Sequence, residues 1–302
     1  MTDYQLLASR NLKHFSEDFV SKYDEKESIQ ALSLVMAKSL LQFDVSAPRK
    51  TLEESNSIIG DSDKYASGLT VENTLPPLPT FHQDFPNSVF KPGITLLDFA
   101  CGTGLTTEKL VPYLDSKQTP SEIIGIDINP TILDFFNHRA EKNSSEGVRI
   151  SSYVYDILDE SKQEELEKFK GVADVIICTL SYHHLIYEEI TNKLAEFLKP
   201  GGWLFVYDFY NEDVEKLSKE DSSVAHMGGL KIDNINQTFK SAGLSNVSSA
   251  RENRLWTWTE KVFIESHFSD ETVQQLNAGK IKHRDDVYMV STSLILAIGQ
   301  KT

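Results

Sequence analysis

The chain has 302 residues, with 45 Asp and Glu against 30 Lys and Arg, for a formal net charge of −15 at pH 7. That balance argues against broad contact with a nucleic-acid backbone or an anionic membrane, because both need basic patches. A hydrophobic fraction of 40% supports a substantial core, and two cysteines give no disulfide framework.

The N-terminus, MTDYQLLASRNLKHFSEDF, is punctuated by acids and has no apolar signal core. With no apolar run of membrane-spanning length anywhere in the chain, a cytoplasmic protein is expected. Residues 1–45 read as a helical cap. In SIQALSLVMAKSLLQF (residues 28–43), Ile29, Leu32, Val35, Met36, Leu40 and Phe43 recur at spacings of three and four, which predicts an amphipathic helix seeking a surface. Residues 46–92 hold six of the ten prolines, mixed with Ser, Asn, Asp and Gly. They predict a loop, either a linker or a lid over a site. Leu78, Phe81, Phe85 and Phe90 are its candidates for docking on something else.

From residue 93 onward apolar β-rich runs alternate with helix-like segments. ITLLDF precedes a helix from Leu105; EIIGID precedes one that Pro130 can start; VRISSYVYD precedes the charged stretch 161–170. DVIICTL precedes a helix over 187–198 that ends at Pro200-Gly201-Gly202, and WLFVYDF follows. A helix over 232–242, strand-like stretches within 246–261 and a last strand over 290–298 complete the pattern. Strands interleaved with helices need crossover connections, which predicts an α/β, Rossmann-like, mostly parallel sheet of seven strands with helices on both faces. One catalytic domain over residues 1–302 is the simplest organisation, with an insertion at about 256–288.

Open parallel sheets bind ligands at the carboxyl ends of their strands. The first strand ends at Asp98, and Ala100, Cys101, Gly102, Thr103 and Gly104 make the following turn, where two glycines permit close approach and unusual dihedrals. The second strand ends at Asp127, placed to accept hydrogen bonds from ribose hydroxyls. The third ends at Asp156 and Ile157, an acceptor and an apolar slab suited to adenine. A dinucleotide fingerprint would place Gly or Ala three residues after Gly104, where Thr107 stands, and no Gly-Lys-Ser/Thr phosphate loop is present. A carboxylate before the turn suits an ammonium better than a pyrophosphate. The set favours a cofactor made of ribose, adenine and an amino acid. Cys101 reads as a small residue beside it.

LLDFACGTG, IIGID, VYD and LKPGGWLFVYDF, in that order, resemble the successive motifs of class I S-adenosylmethionine-dependent methyltransferases. The resemblance implies S-adenosyl-L-methionine as cofactor, with Asp98 and the Ala100–Gly104 turn on its methionine part. It implies Asp127 on the ribose, Ile128 beside the adenine, and Asp156 and Ile157 framing the adenine. Thr179 and Leu180 would line the side near the sulfonium. HFSEDFVSKYDEK and VAHMGGLKIDNINQTFKSAGLSNVS further resemble the ubiquinone/menaquinone-biosynthesis-like small-molecule branch. By that resemblance Tyr23 is a candidate to close over the cofactor and His226 to face the acceptor; packing of the cap and a plain connecting loop are the alternatives.

Methyl transfer to a hydroxyl, a protonated amine or an acidic carbon also needs a base, and histidine suits that near neutral pH. His183 and His184 follow the fourth strand and are candidates for that task or for orienting the loop. Adjacent histidines do not share one ion well from a regular element, so no metal is expected. Trp256, Trp258, Phe263 and Phe268 are candidates for an apolar acceptor pocket or for plain core. The expected activity is methylation of a small molecule. A protein methyltransferase and a non-catalytic cofactor-binding scaffold are the rivals.

Overall fold

A computed structural model describes residues 3–47, 74–211 and 223–302. Residues 48–73 of the Pro-rich stretch therefore lie outside the described residues. Three helices open the chain: α1 (Asp3–His14), α2 (Glu17–Tyr23) and α3 (Glu27–Gln42). The three-four spacing of α3 has the predicted consequence: Leu32, Val35, Met36 and Leu40 are buried on one side of the sheet. Past the Pro-rich stretch, α4 (Phe81–Asp84) seats Phe81 in that same layer, and Phe90 beside it is fully buried; Leu78 stays exposed. The Tyr113 hydroxyl fixes this segment by donating to the Pro76 carbonyl at 2.6 Å.

The sheet is built from β1 (Thr95–Phe99), β2 (Ser121–Asp127), β3 (Val148–Val154), β4 (Ala173–Thr179), β5 (Leu198–Phe209), β6 (Leu244–Glu260), the two-residue β7 (His283–Arg284) and β8 (Val287–Lys301). Its order is β3-β2-β1-β4-β5-β8-β6, with β7 paired to β8 at the edge. The strands from β3 to β5 run parallel, and β8 runs antiparallel between β5 and β6. Helices α5 (Leu105–Leu114), α6 (Pro130–Asn143), α7 (Gln163–Leu166), α8 (Tyr187–Phe197) and α9 (Ile232–Ser241) cover it. Side-chain alternation along each strand feeds both faces. Leu96, Ile123, Val175 and Phe205 enter the layer under α3 and α5, while Leu97, Ile124, Ile176 and Leu204 enter the layer under α8 and α9. This is a Rossmann-like α/β fold with a mostly parallel sheet.

Three boundaries differ from the sequence reading. Leu198-Lys199-Pro200-Gly201-Gly202 is already the start of β5 instead of a helix end, and a register shift against β4 accommodates the turn-like residues. The charged stretch 161–170 is three short helical pieces and not one helix. Residues 256–260 continue β6, so the added segment begins only at α10 (Lys261–His267) and continues through α11 (Asp270–Asn277). β6 and β8 remain paired from Arg254 opposite Ser293 to Glu260 opposite Val287, beyond the last β5–β8 pair at Phe209 and Leu294. This ribbon and helices α10 and α11 stand past the carboxyl end of β5, on the side where ligands bind.

Candidate active site

β1 and β4 are neighbours although β2 lies on the other side of β1, so their following loops diverge and open a crevice. A cavity of about 140 Å³ occupies it, lined by Ala100–Thr103 of the first turn, Asp127 and Ile128 after β2, Thr179 and Leu180 after β4, and His184. Four non-glycine residues among the described ones have left-handed backbones, and two of them, Ala100 (φ 52°) and Leu180 (φ 54°), line this cavity. Such conformations concentrate where geometry serves a ligand.

The glycines of the turn have distinct reasons. Gly104 has φ 81°, and a Cβ there would stand 2.7 Å from the Phe136 ring, which packs between Gly104 and Gly125. Gly102 has φ 54° but nothing within 4 Å of a Cβ. Gly104→Ala is therefore expected to lower stability by about 2–4 kcal/mol, combining left-handed strain with overpacking. Gly102→Ala should cost only the strain, about 1–2 kcal/mol. Thermal unfolding of the two variants tests this, and equal losses would contradict it.

Asp98 lies beneath the turn, 1% exposed. Its Oδ2 accepts from the Thr107 hydroxyl, and its Oδ1 has no donor at all. Burial pushes its pKa up to about 7, with Thr107 opposing and Asp127 adding to the shift. Asp127 accepts from the Gly102 N–H and the Asn129 N–H, both at 3.0 Å, and burial raises its pKa as well. Burial holds the Cys101 thiol well above its ordinary pKa, so it stays protonated. Of the predicted cofactor residues, Asp98, Gly104, Asp156 and Ile157 do not line the cavity, and Ile157 is buried in the layer under α8.

The N-terminal cap closes the crevice by touching the loop after each of the first four parallel strands. The Thr103 hydroxyl donates to Asp24 at 2.8 Å, and Asn129 Nδ2 donates to the Phe15 carbonyl at 2.9 Å. The Tyr4 hydroxyl donates to Asp156, and Asn11 Nδ2 donates to the His184 carbonyl at 3.3 Å. Arg139 completes the first of these by pairing with Asp24 at 2.7 Å. Asn11, Phe15, Val20 and Tyr23, with Ile29, Ser33 and Met36 of α3, supply the cap's share of the wall. The Asp24 and Asp208 carboxylates lie close enough to Tyr23 to add to burial in raising its pKa.

The histidines separate into different positions. His183 Nδ1 faces Asp208 Oδ1 at 2.7 Å, and Asp208 also accepts from the His183 N–H at 2.9 Å and the Phe209 N–H at 2.7 Å. A carboxylate taking three donors makes Nδ1 the protonated ring nitrogen and leaves the lone pair on Nε2. His184 Nδ1 donates to the Ser223 carbonyl at 2.8 Å, and burial beside His183 holds its pKa well below the usual value, so it is neutral. His226 lines neither cavity. Its Nε2 donates to the Leu185 carbonyl at 3.1 Å, and its own N–H and that of Ala225 donate to the His183 carbonyl at 2.9 Å. The loop carrying His226 thus props up the His183 segment.

A second, larger cavity of about 710 Å³ lies past Phe209, between the β6–β8 ribbon and α10 and α11. Trp256, Phe263 and Phe268 line it, whereas Trp258 lies under the Arg284 guanidinium, 4.3 Å from its ring centre. His183 is buried and lines neither cavity itself; its ring stands between residues that line one and residues that line the other. It is 4.1 Å from the His184 ring on one side, and 5.2 Å and 6.3 Å from Phe209 and His267 on the other. Thr107, Asp208 and the cap contacts were not predicted as parts of the site. Asp208 carried a signal all the same, because it is an acid at a strand's carboxyl end, as Asp98, Asp127 and Asp156 are.

Residues 97–204, from β1 into β5, match a family model described as a methyltransferase domain. An uncharacterized methyltransferase of Schizosaccharomyces pombe is 29% identical over 97% of this chain and 98% of its own length. A tRNA N(3)-cytidine methyltransferase of Danio rerio is 25% identical over 58% of this chain, which spans only 51% of that enzyme. Among solved structures, the YcgJ protein of Bacillus subtilis aligns over 70% of this chain and 93% of its own, with a TM-score of 0.49 and 17% identity. The family match falls on the strands and turns that build the first cavity, and the chain is an S-adenosylmethionine-dependent methyltransferase.

Proposed function

We propose that the enzyme methylates a small molecule held in the larger cavity, with His183 as the base. The histidine–carboxylate pair between two cavities carries this reading. The smaller one is assigned to S-adenosylmethionine by its donor and acceptor set and not by its volume of about 140 Å³: the ammonium would supply the donor that Asp98 Oδ1, buried beneath the turn, lacks, and Asp127 has lone pairs left for ribose hydroxyls. Asp156 and Ile128 are assigned to the adenine end, and Thr179 and Leu180 to the neighbourhood of the transferable methyl group. When bound, the cofactor supplies an electrophilic methyl; the chain's own part is alignment and proton removal. His183 Nε2 takes the acceptor's proton, and Asp208 stabilises the imidazolium that forms. His184, kept neutral by burial, serves as cavity wall and orienting contact.

The larger cavity's volume is within the range of about 300–1,000 Å³ common for small-molecule sites, which supports that acceptor class. Residues 1–302 are read as one catalytic domain, working in the cytoplasm. A tRNA acceptor is the second reading, favoured by the likeness to the fish enzyme and opposed by the charge of −15. Purified enzyme given methyl-labelled cofactor should label components of a small-molecule extract. Label found only in added tRNA or in protein would reject this acceptor class.

A further inference from the structure

We infer that the acceptor is an anion, a small molecule carrying a phosphate or carboxylate group on a flat or apolar body. The inference rests on the reading of the larger cavity as the acceptor site. Arg251, Arg254, Lys280 and Lys282 line that cavity, and no Asp or Glu does among the described residues. In a chain with 45 acids and 30 bases, four cations and no acid on one wall is a biased selection, opposite in sign to the molecule as a whole. Arg254, Lys280 and Lys282 have no carboxylate partner among the described residues. Uncompensated cations in a concave, partly apolar site concentrate field lines and draw anions in.

The cations are also placed, not merely present. Arg254 Nε donates to the Ser291 hydroxyl at 2.7 Å across the β6–β8 pair, which orients the guanidinium and leaves its two terminal nitrogens as donors. Arg251 lies over the Tyr210 ring, 5.3 Å from its centre, and Lys282 lies 5.8 Å from the Trp258 ring centre. Trp256 adds an Nε1–H that is buried without an acceptor. A buried donor left unpaired is costly, and an anionic oxygen would satisfy it. Phe209, Phe263 and Phe268 give the ligand's uncharged part an apolar, aromatic bed. The stacked Phe263 and His267 rings lie on the side toward His183, so the anionic end would point away from the methyl group and the body toward it.

The test is calorimetric titration of the full chain, saturated with S-adenosylhomocysteine, by phenyl phosphate, benzoate and benzyl alcohol at low ionic strength. Phenyl phosphate or benzoate should bind at least about tenfold more tightly than benzyl alcohol, and the stronger of the two names the group. Arg254→Gln with Lys282→Gln should weaken the anions by about tenfold or more. The same pair should leave benzyl alcohol and S-adenosylhomocysteine unchanged. Equal binding of the three probes, or equal losses for all of them in the variant, would overturn the inference. Displacement of phenyl phosphate by unfractionated tRNA at far lower concentration would also overturn it, by giving the cations to a nucleic acid. Failure of the wild-type chain to bind S-adenosylhomocysteine would instead strike the underlying reading of the first cavity, and is measured separately.

Discussion

Asp98→Asn is expected to weaken S-adenosylmethionine binding by about a hundredfold or more while leaving the ligand-free protein at least as stable as before at pH 8. A buried ion pair broken at one partner costs about 3–5 kcal/mol, which sets the size of the binding loss. The stability half follows from the carboxyl's own titration. Its folded pKa is raised to about 7, chiefly by burial, from an ordinary value of 3.8. Between those values the folded protein keeps a proton that the unfolded chain has released. The group's contribution is therefore full below about pH 4 and drains away as pH rises through about 7. Above that, the folded protein carries a buried charge that only Thr107 supports, at a cost on the order of 1.4 kcal/mol per pKa unit. Asparagine keeps the shape and has no such charge. The same sign governs the cofactor: an ammonium favours the ionised carboxyl, so affinity should climb about tenfold per pH unit up to about 7 and then level off. Calorimetry across pH and thermal unfolding at pH 6 and pH 8 measure both halves. Wild-type affinity in the variant would sink the assignment, and a variant unstable at every pH would make Asp98 a structural residue.

The residues legible from sequence were those whose place in the candidate site depends on position along one strand. Asp98, Asp127 and Asp156 could be read because an apolar run fixes where a parallel strand ends, and the end faces the crevice. Gly104 could be read because a left-handed turn between strand and helix calls for glycine. What escaped depends on pairs distant in the chain. Thr107 served only to exclude a dinucleotide turn, yet the first turn of α5 carries its hydroxyl back beneath β1 to Asp98. The cap contacts join Tyr4, Asn11, Phe15 and Asp24 to loops about 80 to 170 residues away, a pairing no local pattern encodes. His226 is the converse case: its sequence neighbourhood resembles a motif, and in the fold its Nε2 holds the loop at Leu185. The basic wall of the larger cavity was invisible because its four cations are spread along β6 and the segment before β7. The pairing of β8 with β6 on one side and with β7 on the other, beyond the end of β5, gathers them.

Asp208→Asn and His183→Ala should both cut turnover while leaving cofactor affinity within about twofold, because neither side chain lines the smaller cavity. A positioned base contributes about 10²- to 10⁴-fold, so His183→Ala is expected to lower kcat by at least about a hundredfold. Asp208 acts through His183, and its loss has a signature that simple disorder would not produce. Asparagine can present an N–H where Nδ1 now finds an acceptor, which favours the tautomer with the lone pair on the wrong nitrogen. It also removes the negative charge that would stabilise an imidazolium as the proton is taken. Asp208→Asn should then lower kcat with KM for the acceptor unchanged, and Asp208→Glu should recover part of the loss. A rise in KM as large as the fall in kcat, with no recovery in Asp208→Glu, would reduce Asp208 to a structural contact of the His183 segment. The pair of experiments also bears on what is methylated. A hydroxyl, protonated amine or carbon acid must lose a proton, whereas a carboxylate that is already ionised needs no base. If His183→Ala turns over within about threefold of the wild type, the base assignment fails. The methylated atom would then be one that has no proton to lose.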